Sequence, residues 1–294
     1  MKLYLCVDDT DDLTKSTSTG KIADMIASGV CDLGGRLELG ITRHQLLIHE
    51  DIDYTSHNSS MCMVLDMADD VKMEEVKAIS EKILRDNMAG TSDPGICFCK
   101  LSELEVPEEL IVFGKRAQKE VIQKKEAYDL ADSLKGVELY EYGGTGAGVI
   151  GAIAGVGLRL SGCDGMFRGK VKGFENQSHT ADEWKKLIEV EQFVDFASGS
   201  VLPDDTVIVS GEQIKRAMVD RKISIIAKAK GDEYVMCKKK EIFEGDKRIT
   251  TWFTSCDKFC QDNDIEECWS EEENACYNCL YRRWTADGYV CTVK

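Results

Sequence analysis

Prolines number 3 in 294 residues, so few forced breaks punctuate the chain. No stretch approaches the roughly 20 uninterrupted apolar residues of a membrane span, which excludes a transmembrane helix. The start runs from Met1 straight into an Asp-rich motif without a signal-peptide pattern, and the sequence reads as a soluble, cytoplasmic protein. Positive charge is the minority. Against 37 Lys and Arg stand 53 Asp and Glu, a net charge of -16 that repels polyanions at long range unless basic residues gather on one face.

With 43% hydrophobic and 31% charged residues the chain is apolar enough to bury real cores and long enough for two domains, and global disorder is excluded. Its 13 cysteines, without a secretory signal, point to a reducing compartment where thiols serve as small buried residues, metal ligands or redox groups.

Leu3 to Val7 is a short apolar run that reads as a buried strand ending at Asp8. Helical spacing follows from Gly20, then a breaker at Gly34-Gly35, strands over 37–42 and 61–65, an amphipathic helix over 71–87 and a strand over 96–100. That order, strand, helix, two strands, helix, strand, suits an α+β or split βαβ unit. Residues 108–134 read as one polar-faced helix, 137–142 as extended, and 143–157 as a glycine-rich segment with a short helix from about Val149 stopped by Gly157. A third block predicts a helix over 184–196, strands over 206–209, 223–229, 234–238 and 249–253, and a polar helix over 213–219.

Asp8, Asp9, Asp11 and Asp12 flank Thr10 just past a buried strand, at the strand end where open sheets hold ligands. Such carboxylates repel one another, and a hard cation such as Mg2+ with a bound polyphosphate resolves the repulsion. The plainer alternative is an acidic turn in which an Asp caps the next helix. Ser16, Thr17, Ser18 and Thr19 lead to Gly20 and Lys21, a hydroxyl-rich entry to a helix whose amides and lysine suit phosphate. It is not a Walker A pattern.

Gly143-Gly144-Thr145-Gly146-Ala147-Gly148-Val149-Ile150-Gly151 holds a G-x-G-x-x-G, but the expected crossover helix and the acidic residue ending a second strand are missing, so a dinucleotide site is not indicated. A phosphate cradle formed by amides at Gly144, Gly146, Gly148 and Gly151 stands beside the reading of a tight turn with close helix packing.

Arg43, His44, His49, His57 and Asn58 place hydrogen-bonding groups around a strand pair, with Arg43, His57 and Asn58 as candidate substrate contacts. The histidines have no tight ligand spacing and are more commonly structural. The tail holds Cys256, Cys260, Cys268, Cys276, Cys279 and Cys291. Cys276-x2-Cys279 is a sound half-site, and Cys256 with Cys260 would complete a thiolate zinc site, with Cys268 or Cys291 as substitutes. An iron-sulfur cluster or a thiol switch are the alternatives. The tail is acidic and unsuited to phosphate. Lys215, Arg216, Arg221, Lys222, Lys228, Lys230, Lys238, Lys239 and Lys240 form either a basic face or an ordinary solvated surface.

Val7-Asp8-Asp9-Thr10-Asp11, Tyr54, Asp93-Pro94-Gly95 and the run from Gly144 to Gly157 resemble, in that order, the catalytic half of the archaeal agmatinylcytidine synthetases that modify an isoleucine tRNA (TiaS). The resemblance implies an ATP- and Mg2+-dependent enzyme whose kinase-like domain activates a cytidine for attack by agmatine. It implies that Asp8, Asp9 and Asp11 hold the metal, that Lys21 and the glycine-loop amides hold phosphate, and that Ser18 or Thr19 takes the place of a loop threonine phosphorylated in the family.

The fold class is then α+β: an N-terminal mixed α/β kinase-like unit with ferredoxin-like elements, a second α+β block and a Cys-rich tail. The divisions fall at 1–175 for the catalytic region, 176–254 for the block and 255–294 for the metal-binding tail. The expected partners are a nucleotide and, as the alternative to a smaller acceptor, tRNA brought by another protein, because the later tRNA-gripping modules of the family are too large for this chain. Asp93 stands where the family has Asn, Ala147 where it often has a basic residue, and Arg168 where it has an acidic one. These departures motivate the alternative, a catalytically silent nucleotide- or metal-sensing module.

Overall fold

The computed structural model describes residues 1–12, 17–54, 58–68, 71–169, 171–231, 233–238, 258–261, 279–285 and 288–291. It divides into two compact units, Met1–Leu160 with Arg248–Lys294, and Ser161–Lys247. The fold is α+β, as expected.

The first unit begins β1 (Lys2–Asp8), α1 (Thr19–Asp32), β2 (Gly35–Gln45), β3 (Ser59–Met67), α2 (Met73–Asn87), β4 (Gly95–Lys100). All neighbours pair antiparallel, in the order β4-β1-β3-β2, the ferredoxin-like arrangement of a split βαβ unit. Alternation along β1 assigns its two faces. Leu3, Leu5 and Val7 turn to α1 and α2, packing with Ile22, Ile26, Val76 and Leu84. Cys6 belongs to the opposite core, beside Cys62 of β3 and Cys97 of β4, which lie level with it in register.

That second face is covered by α3 (Pro107–Ala117), α4 (Lys124–Ser133) and α5 (Gly148–Ser161), while β5 (Val137–Glu141) extends the sheet along β4. The single helix expected over 108–134 is therefore two. The Glu126 side chain accepts from the Gln123 N–H (3.2 Å) and starts α4 afresh, with no glycine or proline at the break. Gly157 does not stop α5, which runs on to Ser161. A Cβ at Gly157 would lie 1.8 Å from the Leu110 carbonyl oxygen, and one at Gly114 would lie 2.7 Å from that of Ala154. The two helices touch backbone to backbone, and glycine in α5 serves that approach.

The second unit contains β6 (Met166–Phe167), β7 (Ser178–Thr180), α6 (Ala181–Leu187), β8 (Gln192–Asp195), β9 (Val207–Val209), β10 (Ala217–Val219), β11 (Lys222–Lys230) and β12 (Glu233–Met236). Strands follow the order β6-β10-β11-β12-β9-β7, with β8 parallel to β11. Trp184, Phe193, Ile208, Ile225 and Met236 form its core.

Two elements differ from the pattern of the sequence. The helix over 184–196 ends at Leu187, because Phe193 and Val194 pair with Ile225 and Ile226 as a strand. The helix over 213–219 is instead β10, joined to β11 through Asp220 and Arg221, both left-handed (φ 50° and 60°), the geometry of a type I′ hairpin. The strand expected over 249–253 lies outside the described residues. In the tail, β13 (Arg282–Thr285) and β14 (Gly288–Cys291) form an antiparallel hairpin. No helix among the described residues is long and apolar enough to cross a membrane.

Candidate active site

Asp8 closes β1 opposite Gly95, the first residue of β4. Its side chain turns to the α5 face, where a Cβ at Gly151 would fall 1.7 Å from the Asp8 Oδ2. A Cβ at Gly95 would fall 2.2 Å from the Gly148 carbonyl carbon, so β4 and α5 also meet at bare backbone. The acidic turn and the glycine turn thus share one end of one sheet.

Asp93-Pro94-Gly95 joins them. The Gly148 N–H donates to the Asp93 carbonyl (3.0 Å) and the Tyr142 N–H to that of Pro94 (3.0 Å). The Asp93 carboxylate accepts both the N–H of Thr145 and its hydroxyl, the latter at 2.8 Å. On the other flank, the Ala89 N–H donates to the Thr10 carbonyl (2.9 Å) and the Thr91 hydroxyl to Asp12 (2.5 Å).

Electrostatics follow from that crowding. Burial first, then repulsion by Asp9 and Asp11, pushes the Asp8 carboxyl well above the usual carboxylate range. Burial, then Asp11, Asp93 and Asp53, pushes Asp9 up to about 7. Asp9 is also left-handed, with φ 51°. Oxygen donors under mutual repulsion fit a hard divalent cation such as Mg2+. Among the described residues no three His, Cys, Asp or Glu side chains gather closely enough to hold an ion by themselves.

Asp11 has a second task, since its Oδ2 accepts the Thr19 N–H (3.4 Å) at the start of α1. The capping reading of the acidic turn therefore applies to Asp11. Ser18 is the N-cap proper and accepts the Lys21 N–H (3.2 Å), and Thr19 Oγ1 accepts from the Thr10 hydroxyl (3.1 Å). Lys21 lies exposed in the first turn, with no acidic residue there. Gly144 and Gly146 take positive φ (53° and 73°), whereas Gly148 and Gly151 belong to α5 and make room for Asp93, Gly95 and Asp8. The glycine motif is thus part turn, part packing surface.

Arg43 is buried, its Nε donating to Ser59 Oγ (2.9 Å) and its Nη2 to Gln45 Oε1 (3.2 Å). Asn58 ties the β2–β3 connection, its Nδ2 donating to the Leu47 carbonyl (2.6 Å) and its own carbonyl accepting the Leu46 N–H (2.8 Å). His57 lies outside the described residues, as do Cys256 and Cys276. Cys260 and Cys279 are brought alongside each other: Gln261 bridges Cys279, and the Leu280 N–H donates to the Cys260 carbonyl (2.8 Å). In the second unit Lys215 is buried and Arg216 binds Glu189 (2.7 Å), which removes both from any basic face.

Asp93 and Asp53 were absent from the sequence-derived site. Asp93 was visible as part of an Asp-Pro-Gly ahead of a strand, but its bond to Thr145 reaches across β4, α3, α4 and β5, a separation of 52 residues that no local pattern encodes.

The chain resembles TiaS. Apo TiaS, a tRNA agmatidine synthetase, aligns with a TM-score of 0.46 and 18% identity over 70% of this chain and 49% of that one. The complex of TiaS with its isoleucine tRNA and ATP aligns at 0.45 and 17%, and the complex with the same tRNA, AMPCPP and agmatine at 0.44 and 21%, each over 70% of this chain and 50% of that one. The chain spans about half the length of these TiaS structures. No family model and no curated protein matches it.

Proposed function

We propose that this chain is an ATP- and Mg2+-dependent phosphoryl-transfer enzyme of the ligase or synthetase kind, related to TiaS, which activates a tRNA cytidine or a smaller acceptor. The observation that supports the reading is the meeting of the acidic turn and the glycine turn at Asp8, Asp93, Gly95 and Gly151. Motifs about 130 residues apart in sequence would then serve one triphosphate.

In this reading Asp8 and Asp9 are the metal-holding carboxylates, and Asp11 shares that charge while fixing the start of α1. Lys21 and the positive ends of α1 and α5 attract and orient the phosphates. Mg2+ held by these residues would offset the polyphosphate charge and stabilise the negative charge that develops on the leaving oxygen. Ser18 and Thr19 are the hydroxyls nearest the start of α1, and Arg43, His57 and Asn58 remain the proposed acceptor contacts. The net charge of -16 favours a small acceptor, or RNA delivered by a partner protein. Cys256, Cys260, Cys276 and Cys279 are the proposed zinc ligands, with the metal as a structural staple.

The test is Asp8→Ala with Asp9→Ala, assayed for Mg2+-dependent turnover of radiolabelled ATP. The double variant is expected to lose turnover by at least about a thousandfold, since metal-centred charge stabilisation supplies several kcal/mol of a phosphoryl-transfer barrier. Unchanged turnover removes the metal assignment. A wild-type chain that binds ATP and never turns it over makes it a sensing module instead.

A further inference from the structure

Glycine turns with alternating left-handed residues present consecutive N–H groups as a concave anion seat. Here Gly144 and Gly146 take φ of 53° and 73° on either side of Thr145, the Gly146 N–H closes the turn onto the Gly143 carbonyl (3.1 Å), and the Thr145 donors are taken from within. Both donors of Thr145, its N–H and its hydroxyl, go to the Asp93 carboxylate. A Cβ at Gly144 would fall 1.6 Å from Asp93 Oδ1, so that carboxylate reaches the turn because position 144 has no side chain. From the far side, Lys124 Nζ donates to the Thr145 carbonyl (2.6 Å) and to Glu141 Oε2 (3.0 Å), which keeps a cation at the turn.

We propose that Asp93 is an internal anion that a ligand's phosphate must displace from the glycine turn, so that it sets a preference for phosphate already neutralised by a divalent cation. The inference rests on the reading of the glycine turn as a phosphate site. Free polyphosphate meets Asp93 as a competitor for the Thr145 donors and meets Asp9, close enough to Asp93 for the two carboxylates to repel, as a repelling neighbour. A cation neutralises both oppositions. Asp93 is thus a specificity-determining residue that acts through Thr145. With Asp93 withdrawn, the turn keeps its two left-handed glycines and the neighbouring Lys124.

The experiment is calorimetric titration of the full chain with inorganic triphosphate, with EDTA and separately with Mg2+. Asp93→Asn keeps an oxygen for the Thr145 N–H and removes the charge. It is expected to bind metal-free triphosphate at least about tenfold more tightly than wild type, and to lose most of that advantage in Mg2+, because a charge-assisted competitor has been replaced by a neutral one. Thr145→Ala loosens the same carboxylate without touching it and is expected to move affinity in the same direction by about threefold. It carries the test if Asp93→Asn fails to fold.

Equal or weaker metal-free binding in both variants overturns the inference, and if wild type still binds triphosphate with Mg2+ the phosphate site survives that result. A wild-type chain and variants that bind no triphosphate under either condition overturn the inference and the proposed function together.

Discussion

Burial and three carboxylate neighbours push the Asp9 carboxyl from its ordinary 3.8 up to about 7. The folded chain therefore holds a proton at Asp9 over a range in which the unfolded chain has released it. That contribution to stability is complete below the unfolded value and is lost as pH rises through about 7. Asp8, shifted in the same direction, adds to the slope. Thermal unfolding followed by circular dichroism without divalent ions is expected to show Tm falling from pH 5 to pH 8. Asp9→Asn should flatten the curve and gain about 1 kcal/mol or more at pH 8, roughly 2–4 °C for a domain of this size. Mg2+ should raise the wild-type Tm more at pH 8 than at pH 5. An Asp9→Asn chain with the wild-type pH slope would show that the strain lies elsewhere.

The helix α5 is the element on which sheet, site and second core depend. Its glycines lie against Asp8, Cys6, Ser60 and Leu110, and substitution cannot be absorbed by rotating a flexible neighbour where the opposing atom is backbone. Gly157→Ala is expected to cost about 1–3 kcal/mol by overpacking, read from urea midpoints. Gly90→Ala, where nothing lies within 4 Å of the added carbon, should stay within about 0.5 kcal/mol. Equal effects would mean that α3 and α5 do not need their close approach.

The same helix shows where sequence reasoning stopped. A run of small residues with Gly157 near its end looks locally like a helix stop, and only the Leu110 carbonyl of another helix says otherwise. The βαββαβ order was readable because the apolar run of β1 and the helical spacing in α1 and α2 are local patterns. β10 was misread because its turn uses Asp220-Arg221 in left-handed geometry, without the glycine that normally announces such a hairpin. The acidic turn was legible from residue type alone, but the bond from Asp93 to Thr145 depends on how β4 and α5 meet.

Across the chain, the tail is the part whose chemistry is most open to direct measurement. The backbones at Cys260 and Cys279 lie beside each other through the Gln261–Cys279 bridge. Inductively coupled plasma mass spectrometry of the purified chain is expected to find about one zinc per chain, lost in Cys260→Ser with Cys279→Ser. Iron with acid-labile sulfide in place of zinc would assign a cluster, and no metal at all would leave these cysteines as ordinary thiols.

Where Asp8 meets Gly151 and Gly95 meets Gly148, the floor beneath the acidic turn is main chain. A pocket lined by leucines can be widened by shaving them down. Here the α5 side of the contact is bare backbone, and Asp8 and Leu46 are the side chains that reach it. On the proposed function, ligand choice would be retuned at the rim, through Asp93, Lys21, Lys124 or the entry to α1, because Gly148 and Gly151 have no side chains to exchange.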